Sequence, residues 1–391
     1  MTYDAIIIGA GPAGAAAALM LARAGWSVAI VEKAEFPRRK VCGEFISATN
    51  WPLLRELGIE AEFRAAAGPE VRRVGVFAKD HLLTAPMPRG PQHGFGRALG
   101  RERLDTLLLA AAVRAGATAW QPWRVTRIAP HGDAFVCTIA GDQGARELGA
   151  RLVIAANGSW ERGPAAAPIE REHRASDLLA FKAHFADCDL PGDLMPLIAF
   201  PGGYGGMVHT DRGRVSLSCC IRRDALQACR AREREPHAAD AVLAHIKVNC
   251  LGVRQALRHA RVDGAWLAAG PIRPGRRPVF ADGVFRVGNL AGEAHPVVAE
   301  GISMALQSAW LICGRLIAAG RHGIAAEIAR DYQADWTASF ALRIRAAALF
   351  AGLAMRPAVV SLLVPALRAF PDAITFGAWL SGKSKVVTAA S

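Results

Sequence analysis

The chain has 391 residues, 52% of them apolar and 21% charged, which excludes a disordered chain and leaves room for two or three domains of roughly 150 residues each. The formal net charge of +13 suits an anionic cofactor, an anionic membrane surface or nucleic acid. The basic residues are scattered, however, and no zinc-finger, RNA-binding or helix-turn-helix pattern accompanies them, so nucleic acid is not expected as a partner. None of the eight cysteines forms C-x-x-C or pairs with a histidine at zinc-ligand spacing, so free thiols and no metal site are expected. The opening MTYDAIIIGAG lacks a basic region and a cleavage site, which points to the cytoplasm.

In chain order, YDAIII reads as a buried strand, GAGPAG as a turn, and AAAALMLARAG as a helix ended by Gly25. WSVAIVEK is the next strand, completing a β-α-β unit of a doubly wound α/β fold. Residues 51–68 are expected to be helical, and residues 71–91 short strands. Arg101 to Ala117 reads as a clear helix. A meander turning at His131-Gly132-Asp133 follows, and then a buried strand, RLVIAANG. Beyond about residue 164 the pattern becomes antiparallel, with strands LLAFKAHFADC and RVSLSCCIRR and one or two helices between Asp224 and Arg258. FRVGNLAGEAHP and GISMALQSAWLICGRLIAAG return to the strand–helix type.

The expected architecture is therefore a doubly wound α/β domain with an inserted antiparallel β domain and C-terminal helices. Its nucleotide parts are residues 1–70, 99–163 and 273–322. Substrate strands occupy 71–98 and 164–272, and 323–391 is a helical segment. No apolar run approaches the ~20 residues of a membrane-spanning helix. Residues 341–391 carry six Lys/Arg against one acid, Asp372. Those helices either pack on the core or make a peripheral membrane contact. The oligomeric state is left open.

Gly9-x-Gly11-x-x-Gly14 lies between strand and helix. Gly9 permits the turn, Gly11 lets the backbone approach a pyrophosphate, and Gly14 lets helix and strand pack closely. The helix N-terminus offers free N–H groups and a positive dipole end, and Glu32 closes the second strand where it would accept from ribose hydroxyls. Ala13 and Lys33 flank these positions. On this motif alone, FAD and NAD both remain open.

Arg101 with Leu104-Asp105, Ala155-Ala156-Asn157-Gly158, Gly288-Asn289, Ala294-His295-Pro296 and Glu300-Gly301 then recur in a definite order. Together these motifs resemble the FAD enzyme superfamily that includes the aromatic hydroxylases, flavin halogenases and geranylgeranyl reductases. The resemblance covers residues 3–320 and implies FAD as cofactor, with NADH or NADPH as electron donor. It places the first motif, Arg39, Cys42, Arg101, Gly288, Asn289, Gly301 and Ile302 around the cofactor. The positions of Asn157 and Asn289 are normally aspartate in that superfamily. Asparagine still accepts from a hydroxyl, but the change at 157 puts the electron donor in question. The helix that opens at Gly301 is expected to aim its N-terminus at the flavin.

RRKVCGEF shares Cys42-Gly43 with the reductases and Gly43-Glu44 with the halogenases. Cys42 packs on the flavin or acts as a weak acid. Glu44 orients substrate, relays protons, or pairs with Arg38 or Arg39. Glu293, His295 and Glu300 are expected to form an opposite polar wall, with His295 as proton donor or base. Tyr204, among four glycines, is expected on the substrate sheet facing the flavin. Alternation leaves only one of Cys219 and Cys220 pointing inward. The Trp-x-Trp-x-Ile-Pro motif of the halogenases is absent.

The leading expectation is an FAD monooxygenase hydroxylating a small hydrophobic phenolic or lipid-like substrate. The alternatives are an FAD reductase saturating C=C bonds of a prenyl or polyketide lipid, and a non-catalytic flavin-binding partner protein.

Overall fold

The computed structural model describes residues 1–89, 94–159, 164, 172–233 and 237–383. Its first layer is an eight-stranded sheet centred on Thr2–Ile8. That strand runs parallel to Val28–Val31 on one side and to Gly144–Ala155 on the other, with Ile8 level with both Val31 and Ala155. Thr118–Trp120 extends one edge, and Val284–Arg286 with Phe280–Ala281 the other. The meander Arg124–His131 and Ala134–Gly141 adds antiparallel strands to the first half of Gly144–Ala155. Ile7 packs with the helices on one face, and Ile6 packs with the meander on the other. Covering both faces explains why the strand is an unbroken apolar run. Ala15, Ala16, Ala17 and Ala18 are fully buried on the helix Pro12–Arg23, and their small side chains let it pack against Arg101–Arg114 and Gly301–Ala319.

The second layer is a seven-stranded sheet in the order Arg261–Ile272, Leu178–Ala186, Val215–Arg222, Gly203–His209, Leu194–Phe200, Arg73–Ala78, His81–Pro86. All neighbours are antiparallel except Leu194–Phe200 with Arg73–Ala78. Arg97–Ala98 pairs with Phe45–Ile46, outside this sheet. The strand period of two sorts the side chains. Phe181, Ala183 and Phe185 enter a core with the helices Arg223–Glu233, Ala238–Asn249 and Leu251–Ala256, whereas Leu178 and Ala180 face the C-terminal helices. For the same reason Cys219 and Cys220 are both buried, in opposite cores. This corrects the expectation of a single inward thiol, because the sheet is covered on both faces. All eight cysteines are free.

Ala325–Ala354 is a 30-residue helix, followed by Pro357–Ala369 and Asp372–Ala378. By length and composition, Gly301–Ala319 and Ala325–Ala354 are each apolar enough to cross a membrane. A search for unbroken apolar runs misses them, because mean hydropathy tolerates isolated polar residues. Gly301–Ala319 lies within the core, and Tyr332, Trp336 and Phe340 anchor the longer helix to the same core.

Candidate active site

A cleft of about 640 Å3 opens above the C-terminal ends of the parallel strands. Gly9, at φ 98°, makes the turn, and Gly11 and Ala13 line the floor. A Cβ on Gly14 would lie 1.9 Å from the Gly9 carbonyl oxygen, so this glycine sets helix–strand contact and does not itself line the cleft. The Glu32 carboxylate accepts from the N–H groups of Ala10 (2.9 Å) and Ala34 (3.0 Å), which fixes it at the cleft wall beside Lys33. Arg101 grips Asp105 with two bonds of 2.7 Å. Burial disfavours its charge, but the Asp105 carboxylate outweighs burial and keeps it protonated. Gly288, at φ 60°, and Asn289 complete the far side. Arg38, which sequence reasoning did not place here, lines the cleft and lies 3.4 Å from Glu32 and 3.6 Å from Asp105.

A second cavity of about 440 Å3 adjoins the first and is lined mainly by apolar side chains. Val41, Cys42, Asn289, Gly301 and Ile302 line both, so they mark the line where the two spaces meet. Cys42 is half-buried there, and its sulfur accepts from the Glu44 N–H at 3.4 Å. The outer wall of the cavity comes from the C-terminal helices, through residues such as Phe350, Leu353, Leu363 and Leu367. The motifs give no hint of that wall.

Glu44 corrects two expectations. It pairs with neither Arg38 nor Arg39, and its carboxylate is already fully occupied. One oxygen accepts from the Lys182 ammonium and the Arg101 N–H, and the other lies 2.8 Å from His184 Nε2. Lys182 and His184 are completely buried. Burial by itself would raise the Glu44 pKa, but the hydrogen bond from His184 and the charge of Lys182 outweigh it and bring it down to about 2. Arg39 donates to His184 Nδ1 at 3.4 Å, so Nε2 carries the hydrogen directed at Glu44. Arg39 also donates to the Ala265 carbonyl while lining the cleft. These bonds tie the Cys42 loop to the substrate sheet, and they hold Glu44 at φ 65°, in the left-handed region. The signal was present in LLAFKAHFA. Lys182 and His184 share the face of Leu178 and Ala180, and two polar side chains on one face of a buried strand require a buried partner.

The predicted polar wall divides in two. His295 Nδ1 meets the Tyr204 hydroxyl at 3.2 Å, and Tyr204 is buried on the cavity wall. Burial raises the Tyr204 pKa and lowers that of His295, so both are neutral near pH 7. Glu293 accepts from Ser159 (2.9 Å) and from the Asn289 amide (3.0 Å), and burial raises its pKa. Glu300 leaves the wall altogether. Ala299, at φ 52°, turns the chain so that Glu300 faces Ser47 (3.4 Å) and Arg343 (3.7 Å) and lines neither cavity. Of the four glycines around Tyr204, Gly205 and Gly206 line the cavity. A Cβ on Gly203 would strike the Phe200 ring at 2.2 Å and one on Gly205 the Ser218 carbonyl at 2.7 Å, so these two also let neighbouring strands pack closely.

A model of the FAD-binding domain matches residues 2–335. The chain belongs to that FAD-binding family. It is 30% identical over 376 residues to digeranylgeranylglycerophospholipid reductase 2 of Methanopyrus kandleri, covering 88% of this chain and 81% of that one. Two solved structures share the fold, each at 18% identity. One is a flavin-dependent brominase (TM-score 0.79, covering 99% of this chain and 95% of that one). The other is a geranylgeranyl bacteriochlorophyll reductase-like protein from Thermoplasma acidophilum (TM-score 0.72, 97% and 99%).

The residues of this FAD-family member fit the cofactor. The side-chain amide oxygen Oδ1 of Asn157 is buried at the cleft with no protein partner, as a group awaiting a hydroxyl or amide donor would be. A Cβ on Gly301 would meet no protein atom within 4 Å, which leaves room for a ring edge at the start of the helix Gly301–Ala319. Gly9, Gly11, Ala13 and Glu32 would hold the ADP half. Cys42, Asn289, Gly301 and Ile302 would hold the flavin at the meeting line. The sequence-derived cofactor residues other than Gly14 thus line one space.

Proposed function

We infer that this FAD-dependent oxidoreductase saturates a carbon–carbon double bond in an isoprenoid lipid. The observation that carries this reading is the junction itself. An apolar cavity long enough to be walled by helices from the far end of the chain meets the cofactor cleft at a cysteine. The digeranylgeranylglycerophospholipid reductase relative supports the substrate class. When bound and reduced, FAD would supply the hydride for one carbon of the double bond. A proton for the other carbon must come from the cavity wall. Glu44 is held by Lys182 and His184, and Glu293 by Ser159 and Asn289; among the hydroxyl and thiol groups on the wall, the Cys42 thiol at the junction and the Tyr204 hydroxyl backed by His295 are the proposed donors. Burial keeps Tyr204 protonated, and half-exposed His295 links it towards solvent. The apolar lining excludes water and holds the chain against the junction. NADH or NADPH is the proposed electron donor.

The Tyr204–His295 pair favours hydroxylation as a second reading, because a neutral imidazole behind a phenol can accept a proton relayed from a phenolic substrate. One incubation separates the two. Holoprotein, reduced nicotinamide and a geranylgeranyl lipid are mixed under heavy oxygen gas and, in parallel, without oxygen. A mass gain of two hydrogens per double bond in both vessels is the expected result. Incorporation of one heavy oxygen atom would replace the reductase with the hydroxylase. A flavin that no donor reduces would point to the non-catalytic role.

A further inference from the structure

The rim of the apolar cavity reaches the protein surface on the C-terminal helices. Leu363 lines the cavity and is also 41% exposed, and exposed Ala373 lines it as well. Around this rim, large apolar side chains face outward: Leu362 is 80% exposed, Phe370 70% and Trp379 50%. Phe376 is exposed too and stacks on Trp379 at 5.6 Å. Among the described residues, half of the exposed large apolar side chains fall between Leu342 and Trp379, a concentration that scattered surface leucines do not produce. Exposed arginines, Arg345, Arg356 and Arg368, fringe the patch, with Asp372 as the one acid from 342 to 383.

We propose that Pro357–Ala369 and Asp372–Ala378 lie in the headgroup region of an anionic bilayer, with the cavity rim facing the acyl chains. Apolar and aromatic side chains enter the interface while arginines meet lipid phosphates, the pattern of an in-plane amphipathic anchor. The helices are 13 and 7 residues long, and their axes bend by 114° at the break, so neither segment reaches across a membrane. The basic fringe and the cavity beneath the patch favour a lipid surface over a second copy or a protein partner. Docking stands independently of the reductase reading. Only the further point, that the lipid substrate passes from the bilayer into the cavity, rests on it.

The test is flotation of purified holoprotein with phosphatidylcholine vesicles, with and without phosphatidylglycerol, at low and high salt. Wild type should float with the anionic vesicles, and less at high salt. The triple variant F370S/F376S/W379S should bind at least ~10-fold more weakly, and R356Q and R368Q roughly fivefold each, with the yellow colour and circular dichroism unchanged. These are exposed positions, so folding should not confound the result. A protein that stays in the soluble fraction with anionic vesicles at low salt would overturn the proposal. So would a lipid-free dimer that Leu362→Asp dissociates, since a second copy would then cover the patch. Binding with no turnover would leave docking standing and count against the reductase reading alone.

Discussion

The cofactor cleft and the apolar cavity share five lining residues, yet they are built in opposite ways. The cleft is made where strands end and helices begin: Gly9 to Ala13, Glu32, Arg101, Gly288 and Gly301 each belong to a short motif with its own local geometry. The cavity is made by assembly, with strands of the second sheet on one side and helices from residues 350–378 on the other. A space defined by turns depends on backbone and tolerates little change. A space defined by packed apolar side chains can be reshaped one residue at a time.

The largest effect should come from Gly14→Val. With the added Cβ 1.9 Å from a backbone oxygen, the helix cannot keep its place, and the protein should purify without flavin absorbance. A yellow Gly14→Val protein would break the distinction between a rigid cleft and a plastic cavity. Next is Glu44→Gln, which leaves Lys182 without its counter-charge and should cost about 3–5 kcal/mol in urea unfolding. The same carboxylate has a clear pH signature. Its pKa is lowered from 4.5 to about 2 on folding, so its contribution is complete above about pH 4.5. It should fade as pH falls towards 2, and Glu44→Gln should flatten that part of the stability profile.

Asn289→Asp sharpens the comparison at the shared line. It would set two carboxylates where Asn289 now donates to Glu293 at 3.0 Å, weakening FAD binding by roughly tenfold or more. Flavin fluorescence titration should show recovery in the double variant N289D/E293Q. The smallest effect is expected at His295, which acts through Tyr204. His295→Gln should lower turnover by roughly fivefold, the worth of one hydrogen bond. The neutral imidazole gains a proton only below its ordinary range, so wild-type turnover should fall on the acid side, and this limb should vanish in His295→Gln. Measured kcat against pH would decide it.

The same contrast explains what the sequence disclosed. The β-α-β unit and the cleft were legible because each motif carries its reason within a few residues. Asn289 is expected from the sequence to keep an acceptor role, and the fold adds what no motif shows, that its amide donates to Glu293 four residues on. Glu44 was recognised as important while its partners were not, since Lys182 and His184 lie 138 and 140 residues away. Glu300 was misplaced because a single left-handed residue, Ala299, decides its direction. The cavity wall was invisible because apolar helices announce that they will be buried, not against what.

The family match ends at residue 335, and the C-terminal residues that close the cavity begin at Phe350. The helical side of the cavity wall therefore follows the part that matches the family, while the sheet side lies within it, and one continuous helix, Ala325–Ala354, joins the two. A lineage could trade this terminal cap for another and acquire a new substrate while the redox centre was inherited intact. Chimeras spliced within that helix would put this modularity to use.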